Sequence, residues 1–166
     1  MLVDFHQLPA SSRLWVYQSN RPFKTDEEEI LKREVAAFCG KWATHNNAMR
    51  TSFSIEHHHF LLLAVDGTHQ EASGCSIDDS VHLVQQLGQK LDINFLDRAK
   101  IAFLEKGVVI LVPLTDLKNR FANGTLQPNQ LTFSIQLTTK GDWEERGLVP
   151  ASRSWVSRYL PETTVA

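Results

Sequence analysis

With 166 residues, 42% hydrophobic and 22% charged, the chain has material for one ordinary core and reads as a single domain over 1–166, with a core at 13–112 and a C-terminal extension at 113–166. Seventeen Lys and Arg against nineteen Asp and Glu leave a net charge of -2, which gives no basic field to draw in nucleic acid or an anionic membrane. No apolar run nears the roughly 20 residues of a membrane helix, Cys39 and Cys75 form no paired motif, and the first nine residues carry no basic start followed by an apolar run, so a soluble protein in a reducing cytoplasm is expected.

Residues 1–12 show no periodicity and lead into Arg13 to Gln18, apolar on both alternating faces, which suits a strand covered on each side. Arg21-Pro22 breaks that strand. Thr25-Asp26-Glu27-Glu28 has capping-box form, and Leu31, Val35, Phe38 and Trp42 then recur at helical spacing until the helix ends near Thr44 to Asn47. Thr51 to His57 alternates Phe53 and Ile55 with polar residues, a half-buried strand, and the apolar run Phe60 to Val65 is the next. Ser76-Ile77-Asp78-Asp79 is a second capping-box pattern, opening a helix with Ile77, Val81, Val84, Leu87 and Leu91 on one side. After a connector at 92–98, Lys100 to Leu104 and Val108 to Val112 form a hairpin around Gly107. Leu117 and Phe121 mark a short helix, Leu131 to Leu137 alternates as a strand with one wet face, and a last helix is expected from Ser152 to Leu160.

This order predicts an α+β fold: a mainly antiparallel sheet with helices packed on it, a ferredoxin-like β-α-β-β-α-β core and a C-terminal β-α-β-α extension. Chain direction in such a core gathers distant polar residues at the two ends of the sheet. One end collects Trp42, His45, Asp66, Ser73, Cys75 and Ser76, where a histidine could draw the proton from the Cys75 thiol with Asp66 orienting it. The bland alternative is an inert thiol packing a tight turn. The other end collects Gln18, Ser19, Asn20 and Arg21 with Asp97 and Arg98, where two arginines could grip a carboxylate or phosphate, or else pair with Asp97 to close the sheet end.

His57-His58-His59 supplies two imidazoles on one face if extended, but no third ligand stands at customary spacing, so a hairpin turn is the plainer account and no metal or other cofactor is expected. Leu14 to Asn20 has the look of the first motif of RNA-recognition domains, yet the third strand offers Phe60 alone for base stacking. Gly40-Lys41 is followed by Trp42 and lacks a glycine five positions earlier, so the nucleotide-binding loop GxxxxGK[ST] is absent.

Four stretches together, Arg13 to Arg21, Phe38-x3-Trp42-x2-His45, Ala72 to Asp78 with Ser80-Val81, and Asp97-Arg98, resemble a family of small uncharacterised bacterial proteins that often carry the label ABC transporter ATPase. The resemblance covers about the first hundred residues and departs at Asn46, where the family has glycine. It implies no activity, and the missing phosphate loop contradicts the ATPase label. The expectation is therefore a small cytoplasmic ligand-binding or regulatory domain, with an anionic ligand or a protein as partner and a homodimer as one possible assembly; the alternative is a thiol-dependent enzyme using Cys75 with His45.

Overall fold

A computed structural model describes residues 1–44, 47–67 and 74–162, with the side chains of 43, 44, 47, 48 and 74–76 outside that description. The protein is α+β. Its described elements are β1 (Arg13–Gln18), α1 (Thr25–Lys41), β2 (Ala43–Thr44), β3 (Asn47–Ala48), β4 (Thr51–Glu56), β5 (Phe60–Val65), α2 (Gly74–Leu91), β6 (Lys100–Glu105), β7 (Val108–Pro113), α3 (Leu117–Ala122), β8 (Leu131–Phe133), α4 (Lys140–Arg146) and β9 (Leu148–Pro150). The fold divides into two compact units, Met1–Asp97 with Ile135–Glu144, and Arg98–Ser134 with Glu145–Ala166.

The first unit is built on an antiparallel sheet of order β1-β5-β4. Its central strand β5 has every residue buried, which is why Phe60 to Val65 reads as an unbroken apolar run: a strand covered on both faces has no wet side to alternate with. Odd positions Leu61, Leu63 and Val65 join Leu31, Val35 and Cys39 of α1 and Val84, Leu87 and Leu91 of α2 in one core. Burying each such aliphatic side chain stabilises the fold by roughly 1.5–3 kcal/mol, so this helix-covered face dominates the unit's stability. On the opposite face, Trp143 packs across Phe60 at 5.9 Å and donates its indole N–H to Glu56 at 3.0 Å. The outer edge of β1 is covered where Leu14 N–H donates to Thr138 at 2.8 Å, and the start of β4 where Thr51 exchanges bonds with Met1 and Val3.

Helix α1 starts one residue from the expected register. Lys24 takes the cap position, and Glu27 rather than Glu28 reaches back to it, accepting the Lys24 N–H at 2.8 Å. Helix α2 begins at Gly74, so Ser76 lies inside its first turn instead of capping it. Its C-terminus closes with Asp92 in the left-handed region (φ 54) and Ile93 N–H donating to the Gly88 carbonyl at 2.9 Å, the Schellman arrangement. Among the described residues no helix is long and apolar enough to cross a membrane.

The second unit carries a four-stranded antiparallel sheet of order β7-β6-β8-β9. Ile101, Phe103 and Val112 on one face pack with Leu117 and Phe121 of α3 and with Val156. Two sequence expectations change here. The strand at Lys100 does not join the first sheet as a fourth ferredoxin-like strand; β6 pairs with β7 and β8 instead. The strand expected over 131–137 stops at Phe133, because Ser134 N–H turns to the Gly147 carbonyl and β9 fills the place beside β8. The α4 helix, β9 and the two-residue ribbon β2–β3 had no counterpart in the sequence reading, and the last helix is a pair of 3-10 turns split by Ser154, whose hydroxyl accepts from Val156 N–H.

Candidate functional site

At the end of the first sheet where α1 finishes, Trp42 is 2% exposed and stacks against Phe38 and Trp15, with ring centroids 5.0 and 5.6 Å away. It is core, not pocket wall. Its carbonyl accepts from Met49 N–H, and the next residue, Arg50, forms an ion pair with the buried Asp66 at 3.0 Å while Asp66 N–H donates to the Arg50 carbonyl at 2.9 Å. Trp42 and Asp66 therefore lie at one rim, and Arg50 is an Asp66 partner that the sequence reading overlooked. His45 and Ser73 lie outside the described residues, as do the side chains of Cys75 and Ser76. The second cysteine, Cys39, is fully buried, and burial pushes its thiol up to about 11, which keeps it protonated and unreactive.

At the opposite end, Arg21 is committed to the fold. Its guanidinium makes five hydrogen bonds, one for each N–H: to both Glu27 carboxylate oxygens (2.8 and 2.7 Å) and to the carbonyls of Leu91 (2.6 Å), Pro22 (3.1 Å) and Asp92 (3.4 Å). No donor is left to grip an anion, which corrects the ligand role expected of Arg21; its carboxylate partner is Glu27 and not Asp97. The bidentate bond from Arg21 holds the Glu27 carboxyl down to about 2 against the cost of burying it. Around this pair, the Ser19 hydroxyl donates to the Arg21 carbonyl at 2.5 Å and Asn20 Oδ1 accepts the Asn94 N–H at 2.8 Å. Gln18 is buried at the end of β1. Asp97, half-buried, closes the first unit, and Arg98, exposed, opens the second.

The three histidines form the β4–β5 turn. His57 and His58 both have positive φ (53 and 57), and His59 N–H closes the turn on the Glu56 carbonyl at 3.1 Å. His58 Nδ1 meets Glu28 Oε1 at 2.5 Å, while burial lowers the affinity of His59 for a proton. Among the described residues no group of three or more His, Cys, Asp or Glu converges as a metal would require.

What the Arg21 network does build is a groove. Arg21 fixes the carbonyls of Leu91 and Asp92, and Asn20 fixes the backbone of Asn94, so that the connector 92–96 lies against the last turns of α2, where Ile93 N–H bonds the Gly88 carbonyl. An open groove of about 570 Å³ runs between them, lined by Val84, Gln85, Gly88, Gln89, Asp92, Ile93, Asn94, Phe95 and Leu96. Three of its lining residues, Val84, Ile93 and Phe95, are buried, and Phe95 packs on Phe23 at 5.8 Å. Gly88 lets the connector approach the helix closely, since a Cβ there would stand 2.5 Å from the Ile93 carbonyl oxygen. Gln85, Gln89, Asp92, Asn94 and Leu96 are exposed at its mouth. The sequence reading placed these residues on a helix face and in a connector; the local signal was Asp92-Ile93-Asn94-Phe95-Leu96, where buried hydrophobes alternate with polar residues and the run ends on an apolar side chain.

Comparison of the chain with protein-family models, with curated proteins and with solved structures gave no match.

Proposed function

We propose that this protein is a small cytoplasmic binding domain, and that the groove between the C-terminal half of α2 and residues 92–96 receives its ligand. The observation that carries this reading is the combination, along one open groove of about 570 Å³, of buried Val84, Ile93 and Phe95 with exposed Gln85, Gln89, Asn94 and Leu96. Arg21 serves it as a positioning residue: its bonds to the Leu91 and Asp92 carbonyls hold the wall that the ligand would meet.

The test is a backbone amide NMR titration of the full chain with a panel of neutral blocked peptides and small aliphatic amides. Saturable shifts that cluster at residues 84–96, with the rest of the spectrum still, are expected. A panel that leaves 84–96 unmoved, or moves residues elsewhere, overturns the reading.

A further inference from the structure

We infer that the outer edge of β7 pairs antiparallel with the same edge of a second copy of this chain, joining two four-stranded sheets into one. The inference stands apart from the groove and its ligand.

The ladder decides which main-chain groups are available. β7 runs beside β6 in constant register, without a bulge, and the Leu114 N–H donates to the Ala99 carbonyl at 2.8 Å. Hydrogen-bonded positions alternate along an antiparallel pair, so Val108, Ile110 and Val112 bond inward to β6 while Val109 and Leu111 turn their N–H and C=O outward. Pro113, the next outward position, has only a carbonyl to offer. Among the described residues, no strand pairs with that side of β7, and no hydrogen bond reaches the outward N–H of Val109 or Leu111.

Other sheet edges of this protein are guarded. Leu14 of β1 bonds Thr138, Thr51 at the start of β4 bonds Met1 and Val3, and β9 is three residues long and ends in Pro150. Proteins blunt an edge with charge, a bulge, proline or shortness. Apart from Pro113 at its end, β7 has none of these: it runs for six residues, and no charged side chain occurs from Gly107 to Thr115.

The edge also fits itself. A two-fold axis at Ile110 sets Val109 against Leu111 of the second copy, and Leu111 against its Val109. Each pairing exchanges two N–H···O bonds, so both outward N–H groups of each copy find a carbonyl. On the face where Val112 and Ile110 join the core with α3, the same axis sets Ile110 beside Ile110 and Val108 beside Val112. Val108, 62% exposed, is the most exposed large hydrophobic side chain among the described residues, and it gains an apolar neighbour there. Identical charged strands would repel across such an axis, whereas this one has no charge to oppose.

Six paired residues a side bury less than the roughly 1,200 Å² of a standard interface, so a weak dimer is expected. Sedimentation velocity of the full chain from about 10 μM to about 1 mM, a span suited to such a contact, is expected to show reversible dimerisation. Val108→Lys, at a side chain already open to solvent, is expected to keep the Tm and weaken association about tenfold. Amide exchange supplies the second readout. Val109 and Leu111 are expected to slow about tenfold where nine in ten chains are paired, while Ile110 and Val112 stay protected at every concentration. Exchange at Val109 and Leu111 that is independent of concentration overturns the inference, whether the chain stays monomeric or dimerises through another surface. Concentration-dependent protection that Val108→Lys leaves unchanged overturns the two-fold register about Ile110.

Discussion

Arg21 and Glu27 meet through two parallel N–H···O bonds of 2.8 and 2.7 Å, and the same guanidinium caps the carbonyls at the end of α2. One arginine thereby ties the start of the first helix to the finish of the second. Removing it strands a carboxylate that is nearly buried and frees the connector 92–96. Arg21→Ala is expected to lower unfolding free energy in urea by about 2 kcal/mol, and Arg21→Lys to recover only part of this because an ammonium cannot make the fork.

The acid response should come in two stages. His59 is held neutral by burial, so its protonation favours the unfolded chain as pH falls below about 6.5. Glu27, with a folded value of about 2, stabilises the fold above the ordinary carboxylate range, and that contribution drains as pH falls from about 5 towards 2. Urea midpoints measured from pH 7 to pH 2 should show the upper stage missing in His59→Gln. The gap between the native protein and Glu27→Gln should narrow only in the lower stage.

Two helical glycines should respond with opposite sign to the same substitution. At Gly40, exposed in the last turn of α1, an added Cβ meets nothing within 4 Å. Gly40→Ala is expected to stabilise by about 0.5 kcal/mol through lower chain entropy when unfolded. At Gly88 the Cβ runs into the Ile93 carbonyl, a backbone atom that moves only with the whole connector. Gly88→Ala is expected to cost about 1–3 kcal/mol and to perturb the amide resonances of 92–96. Thermal unfolding of the pair settles the signs.

The β4–β5 turn is strained by its composition. His57 and His58 both occupy the left-handed region that asparagine and glycine enter more cheaply. Replacing them together, His57→Asn with His58→Gly, is expected to raise stability by about 1 kcal/mol, less whatever the exposed His58–Glu28 contact contributes. A urea series read beside Glu28→Gln separates the two effects.

The outline of the first unit was legible because its elements advertise themselves locally. Leu31, Val35 and Phe38 mark α1, and the unbroken run at β5 marks a strand buried on both faces, whereas the order β1-β5-β4 is seen only in the structure. The partner of β6 was not legible: Ile101 to Leu104 is a continuous apolar run that suits a central strand of either sheet, and nothing in those residues chooses. Likewise, the sequence reading put Arg21 at the sheet end, but its partner was a matter of helix register. A one-residue shift in the α1 cap placed Glu27 inward, and the arginine became a brace instead of a ligand grip. The groove residues gave only a weak trace, since Gln85 and Gln89 look like any wet helix face until the connector folds back beside them.

The chain visits its two units alternately, with Ile135–Glu144 returning to the first after most of the second has been laid down. During synthesis, then, the nascent sheet of residues 13–65 waits for Thr138 and Trp143 to leave the ribosome before its exposed strand edge and the ring of Phe60 are covered. The first unit is therefore completed only after residues 98–134 of the second have been made.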